Sequence, residues 1–225
     1  MGRRFIDFWV HVTPENFQEI LSKLRELGFG AAVVEFDGSE EEFRETLRYA
    51  ESMGLELYRK LVVRVSGRRP LLSALRSNRG RYEVISVVCE DLETALVAAR
   101  DNRVDTVVIP PRPGYRFDKG VASLLRNRVE IPFNQILEDP EPSLKTYLEV
   151  FRILGRKAGI IVSSGASSPL MLRTPWQLIS LPMIMGYSHE EALKTVSDEC
   201  WSIIATNLEK LSPDYVAPGV VRIGR

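Results

Sequence analysis

Strand-like and helix-like segments alternate from one end of this 225-residue sequence to the other, and that alternation constrains the fold more than any single motif. Strands separated by helices run parallel, because each helix carries the chain back along the sheet before the next strand begins. Seven strand candidates can be read, over residues 5–12, 31–36, 57–65, 82–89, 106–109, 130–137 and 159–162. Runs such as Val33-Val34 and Val107-Val108-Ile109 are apolar throughout, as expected for strands covered on both faces. Helical signals fill the gaps. Thr13 is expected to cap a first helix with Pro14 at its first position. Ser39 and Glu42 have the spacing of a capping box. Further helices are expected over 70–78, from Asp91, over 119–128 and over 143–157. Thr174 to Gln177 and Ser188 to Glu191 are two more capping boxes, and Ala192, Val196, Cys200, Ile203 and Leu211 then fall on one helical stripe. No eighth strand stands between these last two helices. The expectation is one α/β domain over 1–225, an irregular and incomplete TIM-like (β/α) barrel. An open doubly wound sheet is the alternative, weakened because no glycine-rich dinucleotide loop follows the first strand.

Composition narrows the function. A chain that is 44% hydrophobic and 27% charged can bury a full core without disulfides or metals. The two cysteines, Cys89 and Cys200, fit no zinc motif, no signal peptide is evident, and no apolar stretch reaches the roughly 18 residues of a membrane span. A cytoplasmic protein with reduced thiols and no membrane partner is expected. Formal net charge is zero, yet the charge is uneven. Residues 57–82 hold eight basic side chains and no acid, whereas 35–51 hold seven acids against two arginines. A basic face and an acidic face can hide in a neutral total.

In barrels, function gathers on the loops that follow the strands. Period two places Asp7, Trp9 and His11 on one face of the first strand, taken as the inner one, and Ile6, Phe8, Val10 and Val12 on the other. Asp7 is expected to pair with an arginine such as Arg64. The only histidines, His11 and His189, stand 178 positions apart, too few for a His-rich multinuclear hydrolase, and His189 reads as a surface residue. A carboxylate magnesium site from Asp7, Glu35, Asp37 and Glu130 is conceivable, and with His11 it defines an alternative function, a metal-dependent phosphoesterase. No Gly-x-Ser-x-Gly elbow surrounds Ser163 and Ser164. The small residues from Ser163 and Ser164 through Gly165 to Ser168 could instead bring backbone amides close to a phosphate. Basic side chains follow alternate strands: Arg68 and Arg69; then Arg112, Arg116 and Lys119; then Arg173. They are expected to share one rim and to contact RNA phosphates, with Tyr115 available to stack on a base.

Several segments in order give the chain a family resemblance: Ile160 to Ala166 followed by Leu172-Arg173-Thr174-Pro175 and Glu190-Glu191-Ala192-Leu193, with Val104 to Pro110, Phe117-Asp118 and Glu130 to Phe133 before them. It resembles the family of archaeal ribonuclease P protein component 3, counterpart of the eukaryotic 30-kilodalton subunit, over roughly residues 4 to 206. The resemblance implies a barrel related to the His-rich (PHP) phosphoesterases but without their metal centre. It implies a subunit that supports a catalytic RNA in removing the 5′ leader of precursor tRNA, and it adds Arg64 to the expected RNA contacts. That RNA, protein component 2 and other holoenzyme proteins would be partners, and precursor tRNA an indirect one. No cofactor would be held by this chain, and Mg2+ would belong to the RNA holoenzyme. The family is often more basic than this chain, so part of the surface, such as the acidic helix from Ser39, is expected to face protein.

Overall fold

In a computed structural model, which describes residues 3–155, 159–217 and 220–221, the seven expected strands form one parallel sheet in sequence order. The first half alternates strictly: β1 Ile6–Val12, α1 Phe17–Glu26, β2 Ala31–Phe36, α2 Glu40–Ser52, β3 Glu56–Val63, α3 Arg68–Asn78, β4 Val84–Val88 and α4 Leu92–Ala98. Then follow β5 Thr106–Val108, α5 Lys119–Ala122, β6 Arg128–Pro132, α6 Asn134–Glu138, α7 Pro140–Leu154 and β7 Ile160–Ser163. A 3-10 turn at Pro169–Met171 leads to α8 Pro175–Ile184, α9 His189–Lys194 and α10 Asp198–Leu211, and a short hairpin, β8 Tyr215–Ala217 with β9 Val220–Val221, follows.

The sheet closes on itself without an eighth strand. At its upper end the segment after β7 pairs with β1: His11 N donates to Ala166 O at 2.8 Å and Gly165 N to Trp9 O at 2.9 Å. At its lower end the turn between α9 and α10 is wedged into the same seam. Val162 N donates to Thr195 O at 3.2 Å and Ile6 N to Val196 O at 2.9 Å. This wedge divides the expected single stripe of 192–211 into two helices. Backbone groups on both edges are thereby satisfied, which an open sheet would leave exposed.

The residues inside the barrel are stacked in layers. At the bottom Ile6, Phe8, Ala31, Val33, Val84 and Ile161 pack against Cys200 and Ile204 of α10, which plugs that end. Above it, two residues beyond Val84 and Ile161, β3 to β7 present a polar layer of Lys60, Ser86, Thr106, Glu130 and Ser163, all buried. Above it Trp9, Val62, Val88 and Val108 form a second apolar layer. Lys60 donates all three protons of its ammonium: to Glu130 Oε1 at 2.6 Å, Glu130 Oε2 at 2.8 Å and Phe8 O at 2.8 Å. The rings of Phe8 and Trp9 both stand 5.0 Å from Lys60 Nζ. Glu130 also accepts from Ser163 Oγ at 2.8 Å, Thr106 Oγ1 at 2.7 Å and Ser86 Oγ at 3.0 Å. An outer shell, including Val10, Val12, Ala32, Val34, Val87, Val107 and Ile131, packs under the helices.

Several expectations need correction. The register shifts between Asp7 and Val10, so Phe8 and Trp9 both face Lys60, and the proposed two faces of the first strand are broken by that bulge. Helix α1 starts at Phe17, because residues 14–16 form a turn in which Asn16 and Phe17 N donate to Thr13 O. The sixth strand ends at Pro132 rather than Leu137. Phe133 and Asn134 donate to Ser163 O and Ser164 O, and the chain then turns into α6. The helix expected over 119–128 is a single turn ending at Ala122. Helix α7 starts at Pro140 and ends at Leu154, so the expected end at Lys157 lies outside the described residues.

Two predictions follow from the interior. Glu130→Gln leaves a buried ammonium without its counter-charge and is expected to cost about 3–5 kcal/mol in denaturant unfolding, with Lys60→Met added to it recovering most of the loss. Gly165 sits at φ +61°, where a Cβ would stand 2.2 Å from Asn134 Oδ1. Gly165→Ala is therefore expected to destabilise by about 2 kcal/mol or more, read as a lower unfolding midpoint.

Candidate nucleic-acid interface

The upper mouth of the barrel, at the C-terminal ends of the strands, is where these loops could act together. Its centre is a cluster around Glu35 at the end of β2. Arg64 grips this carboxylate with both guanidinium nitrogens, at 2.6 and 3.1 Å, and Trp9 Nε1 donates to it at 2.9 Å. His11 Nδ1 stands 3.8 Å away, and the Arg64 guanidinium lies over the Trp9 ring. Burial acts to raise the pKa of Glu35, but the Arg64 fork and the indole donor outweigh it and hold the carboxyl below its ordinary range. Arg64 therefore pairs with Glu35, not Asp7, and only its half-exposed outer edge is free for a ligand.

Asp7 lies beside the seam, fully buried. Its Oδ1 accepts from Ser164 N at 2.9 Å and weakly from Trp9 N at 3.4 Å, while Oδ2 has no hydrogen-bond partner. Burial pushes its pKa up to about 6, against the opposing hydrogen bonds of Ser164 and Trp9 and the charge of Lys60.

The serine–glycine segment after β7 is engaged inward, which corrects its expected outward use. Ser163 Oγ donates to Glu130, Ser164 Oγ to Trp9 O at 3.3 Å, and the amides of Ser164 and Gly165 serve Asp7 and Trp9 O. Ser163, Ser164 and Gly165 are buried, so these residue types answer to barrel closure. Arg173 is half-buried, and its Nη1 donates to Leu170 O at 2.9 Å and Leu172 O at 2.8 Å. That guanidinium holds the turn that leads into the capping box of Thr174 and Gln177. Tyr115 is partly buried against the core, which removes much of its face as a platform for a base.

The remaining basic residues do stand outward. Arg68 and Arg69 occupy the first turn of α3, exposed and without an ion pair among the described residues. The helix offers them no acid there, and its N-cap Gly67 provides no side-chain cap. Two cations at the positive end of a helix oppose its dipole, so this turn is arranged for something other than helix stability. Arg116 and Lys119, in and just after the loop following β5, are likewise exposed and unpaired among the described residues. Arg112 is exposed but forms an ion pair with Asp139. Because the strands are parallel, the segments after β3, β5 and β7 that carry Arg68 and Arg69, Arg112, Arg116 and Lys119, and Arg173 all leave at the C-terminal end of the barrel, two strands apart around it.

The residues of the alternative reading do not assemble. Glu130 is saturated by Lys60 and three hydroxyls, Glu35 by Arg64 and Trp9, and Asp7 is held at the seam. Among the described residues no three His, Cys, Asp or Glu side chains gather so as to hold a metal ion. Both thiols are buried, and burial pushes Cys89 up to about 12 and Cys200 well above its ordinary value, so neither is a ready nucleophile. His189, exposed as expected, stacks on Trp176 with the ring centroids 5.8 Å apart.

The fold and mouth together define a class: a TIM-like α/β barrel closed by seven parallel strands, with a buried Lys60–Glu130 pair inside and exposed arginines after its strands. The chain belongs to the RNase P subunit p30 family, whose model matches residues 4–211. Ribonuclease P protein component 3 of Aeropyrum pernix is 25% identical over 209 residues, covering 86% of this chain and 97% of that relative. The component of the same description from Methanosarcina acetivorans is 27% identical over 244 aligned positions, covering 98% and 96%. A chain in a cryo-EM structure of archaeal ribonuclease P with mature tRNA superposes with a TM-score of 0.83 at 20% identity, over 98% of each chain.

Asp7 generates a pH prediction. Its folded pKa is raised above the ordinary carboxyl value of 3.8, so the folded state binds more protons than the unfolded state between those two values. Its contribution is thus most favourable below pH 4 and is lost as pH rises through about 6. The loss is about 3 kcal/mol at neutral pH. Denaturant unfolding of Asp7→Asn across pH 3.5 to 7.5 should show a stability difference from the native chain that grows toward neutral pH by that order.

Proposed function

We propose that this chain is a protein subunit of ribonuclease P that binds the catalytic RNA and supports its removal of the 5′ leader from precursor tRNA. The observation that carries the reading is the family match over 4–211, on a barrel in which Arg64 and Lys60 pair the carboxylates of Glu35 and Glu130. The chemistry then belongs to the RNA and its Mg2+, and this chain contributes positive charge in fixed positions. Exposed Arg68, Arg69, Arg116 and Lys119 are the contacts we favour, with Arg64 and Arg112 reaching RNA only by sharing or exchanging their carboxylate partners. Ser163, Ser164, Gly165 and Arg173 support the mouth from within.

Cations at phosphates lower the repulsion between RNA segments, a task otherwise left to magnesium. Protein component 2 is the protein partner we assign, precursor tRNA is reached through the RNA, and the cytoplasm is the compartment. Among the described residues, no helix is long and apolar enough to cross a membrane.

The test is reconstitution of precursor-tRNA cleavage from the RNA, component 2 and this chain. Omitting the chain should reduce cleavage. Replacing Arg68 and Arg69 with alanine should lower activity about thirtyfold at limiting Mg2+, from roughly 1 kcal/mol for each of the two contacts, and high Mg2+ should restore it. Equal activity of this variant and the native chain across the whole magnesium titration would remove these two arginines from the interface. Arg173→Ala should instead lower the unfolding midpoint, with activity at saturating Mg2+ retained.

A further inference from the structure

At the opposite end of the barrel, where the strands begin, a second group of cations has no role in the fold. Arg76 stands exposed near the end of α3, Arg81 in the turn before β4, Arg100 after α4 and Arg126 before β6. None of the four forms an ion pair among the described residues, and Arg100 makes only a bond from Nε to Leu96 O. Topology sets these positions near one another: Arg81, Arg100 and Arg126 precede the neighbouring strands β4, β5 and β6, and Arg76 ends the helix that leads to Arg81. The Arg79 guanidinium donates to Arg103 O at 3.1 Å, and Arg126 N donates to Ala99 O at 2.9 Å, which ties the three loops together. Arg126 lines two adjoining hollows of about 410 Å3 each, one of them also lined by Asn102, Asn127 and Lys210.

The acids nearby are already taken. Asp101 is held by Arg103 at 2.6 Å and Asp105 by Arg79 at 2.6 Å, while Asn207 and the Ile85 amide also donate to Asp105. Glu83 accepts from Arg59 N, and Glu199 pairs with Arg128. What remains is a surface whose acids, Glu83 excepted, are ion-paired, and which carries guanidinium groups with no carboxylate partner among the described residues. Such groups repel one another within a Debye length of about 10 Å, so gathering them works against the fold unless an anion meets them.

We propose that this arginine belt, Arg76, Arg81, Arg100 and Arg126, is a second RNA-facing surface that binds the phosphodiester backbone of the catalytic RNA. It rests on the reading that the chain is an RNA-binding subunit, and it places RNA at both ends of the barrel rather than at the mouth alone. Guanidinium forks recognise phosphate oxygens by paired donors and carry no sequence preference there.

The experiment measures binding of the assembled protein subunits to the RNA over a range of salt, with the four belt arginines replaced by alanine. Each lost phosphate contact reduces the slope of log affinity against log salt by about 0.7–0.9, so the four together should reduce it by about three, with affinity down about tenfold or more at 0.1 M salt. The unfolding midpoint should be unchanged, because the replaced side chains are exposed and unpaired. A parallel variant with Arg68, Arg69 and Arg116 replaced reports on the mouth. If the mouth variant weakens binding and the belt variant keeps its slope, the belt proposal is overturned and the subunit reading stands. If neither variant weakens binding, both fail. Loss of assembly with the protein subunits at unchanged RNA affinity would also overturn the proposal, in favour of an acidic protein surface.

Discussion

The ion pair of Lys60 and Glu130 sets the terms for the rest of the barrel. Removing two charges from water is unfavourable, and a buried pair survives only when its geometry is good and every remaining proton and lone pair finds a partner. Here six strands supply the pair and its partners. β3 brings the ammonium, β6 the carboxylate, β4, β5 and β7 a hydroxyl each, and β1 a carbonyl and two ring faces. The pair therefore specifies the relative register of most of the sheet, since slipping any of these strands by one residue would turn its polar member outward. Apolar layers above and below keep water away and leave the carboxylate no free lone pair. The position where a barrel could keep reactive carboxylates is occupied by a structural cluster.

Closure is the second constraint, and it explains the most specific sequence motif. Seven strands leave a gap between β1 and β7, filled from above by Gly165-Ala166 and from below by Thr195-Val196. The upper filling needs a residue with positive φ and no side chain, then a small one that can bridge to β1, and it needs hydroxyls that reach inward. Ser163-Ser164-Gly165-Ala166 satisfies each requirement in turn. Read as a loop, the same run suggests amides turned toward a phosphate. Both readings use the freedom of small residues, and only the direction of the amides separates them.

That ambiguity marks how much was legible beforehand. Strand number, parallel order and barrel class follow from alternation and apolar runs, which depend on local periodicity. The three capping boxes at Ser39, Thr174 and Ser188 form as their spacing requires, because a cap is a contact within one turn. The bulge in β1 is different. It inserts one residue out of phase, so Trp9 joins Phe8 inside, and nothing in Phe8-Trp9-Val10 announces it. Partner choice was equally hidden. Asp7 was the expected mate of Arg64, and in the fold Arg64 takes Glu35 instead. Arg76, Arg81, Arg100 and Arg126 went unselected because they precede strands or sit on helix ends, while attention to loops after strands favours the other end of the barrel. The signal available was the stretch 57–82 without an acid, which continues past the mouth loop to Arg76 and Arg81.

A net charge of zero is compatible with binding a polyanion, because a phosphate responds to the field within several ångströms and not to the sum over 225 residues. The basic and acidic runs partly cancel each other inside the fold: Arg59 pairs with Glu40 and Arg64 with Glu35, while Lys60 and Arg79 find acids on distant strands. Half of the eight basic residues over 57–82 are thus structural. The acids that match them have their charge compensated along with them. The remaining arginines, Arg68, Arg69, Arg76 and Arg81, are exposed and form no ion pair among the described residues. Acids left over on α2, such as Glu41, Glu45 and Glu51, lie on another helix and can repel RNA from that side. Internal pairing converts a chain with no net charge into a body with charged and neutral sectors, and only the charged sectors match a polyanion.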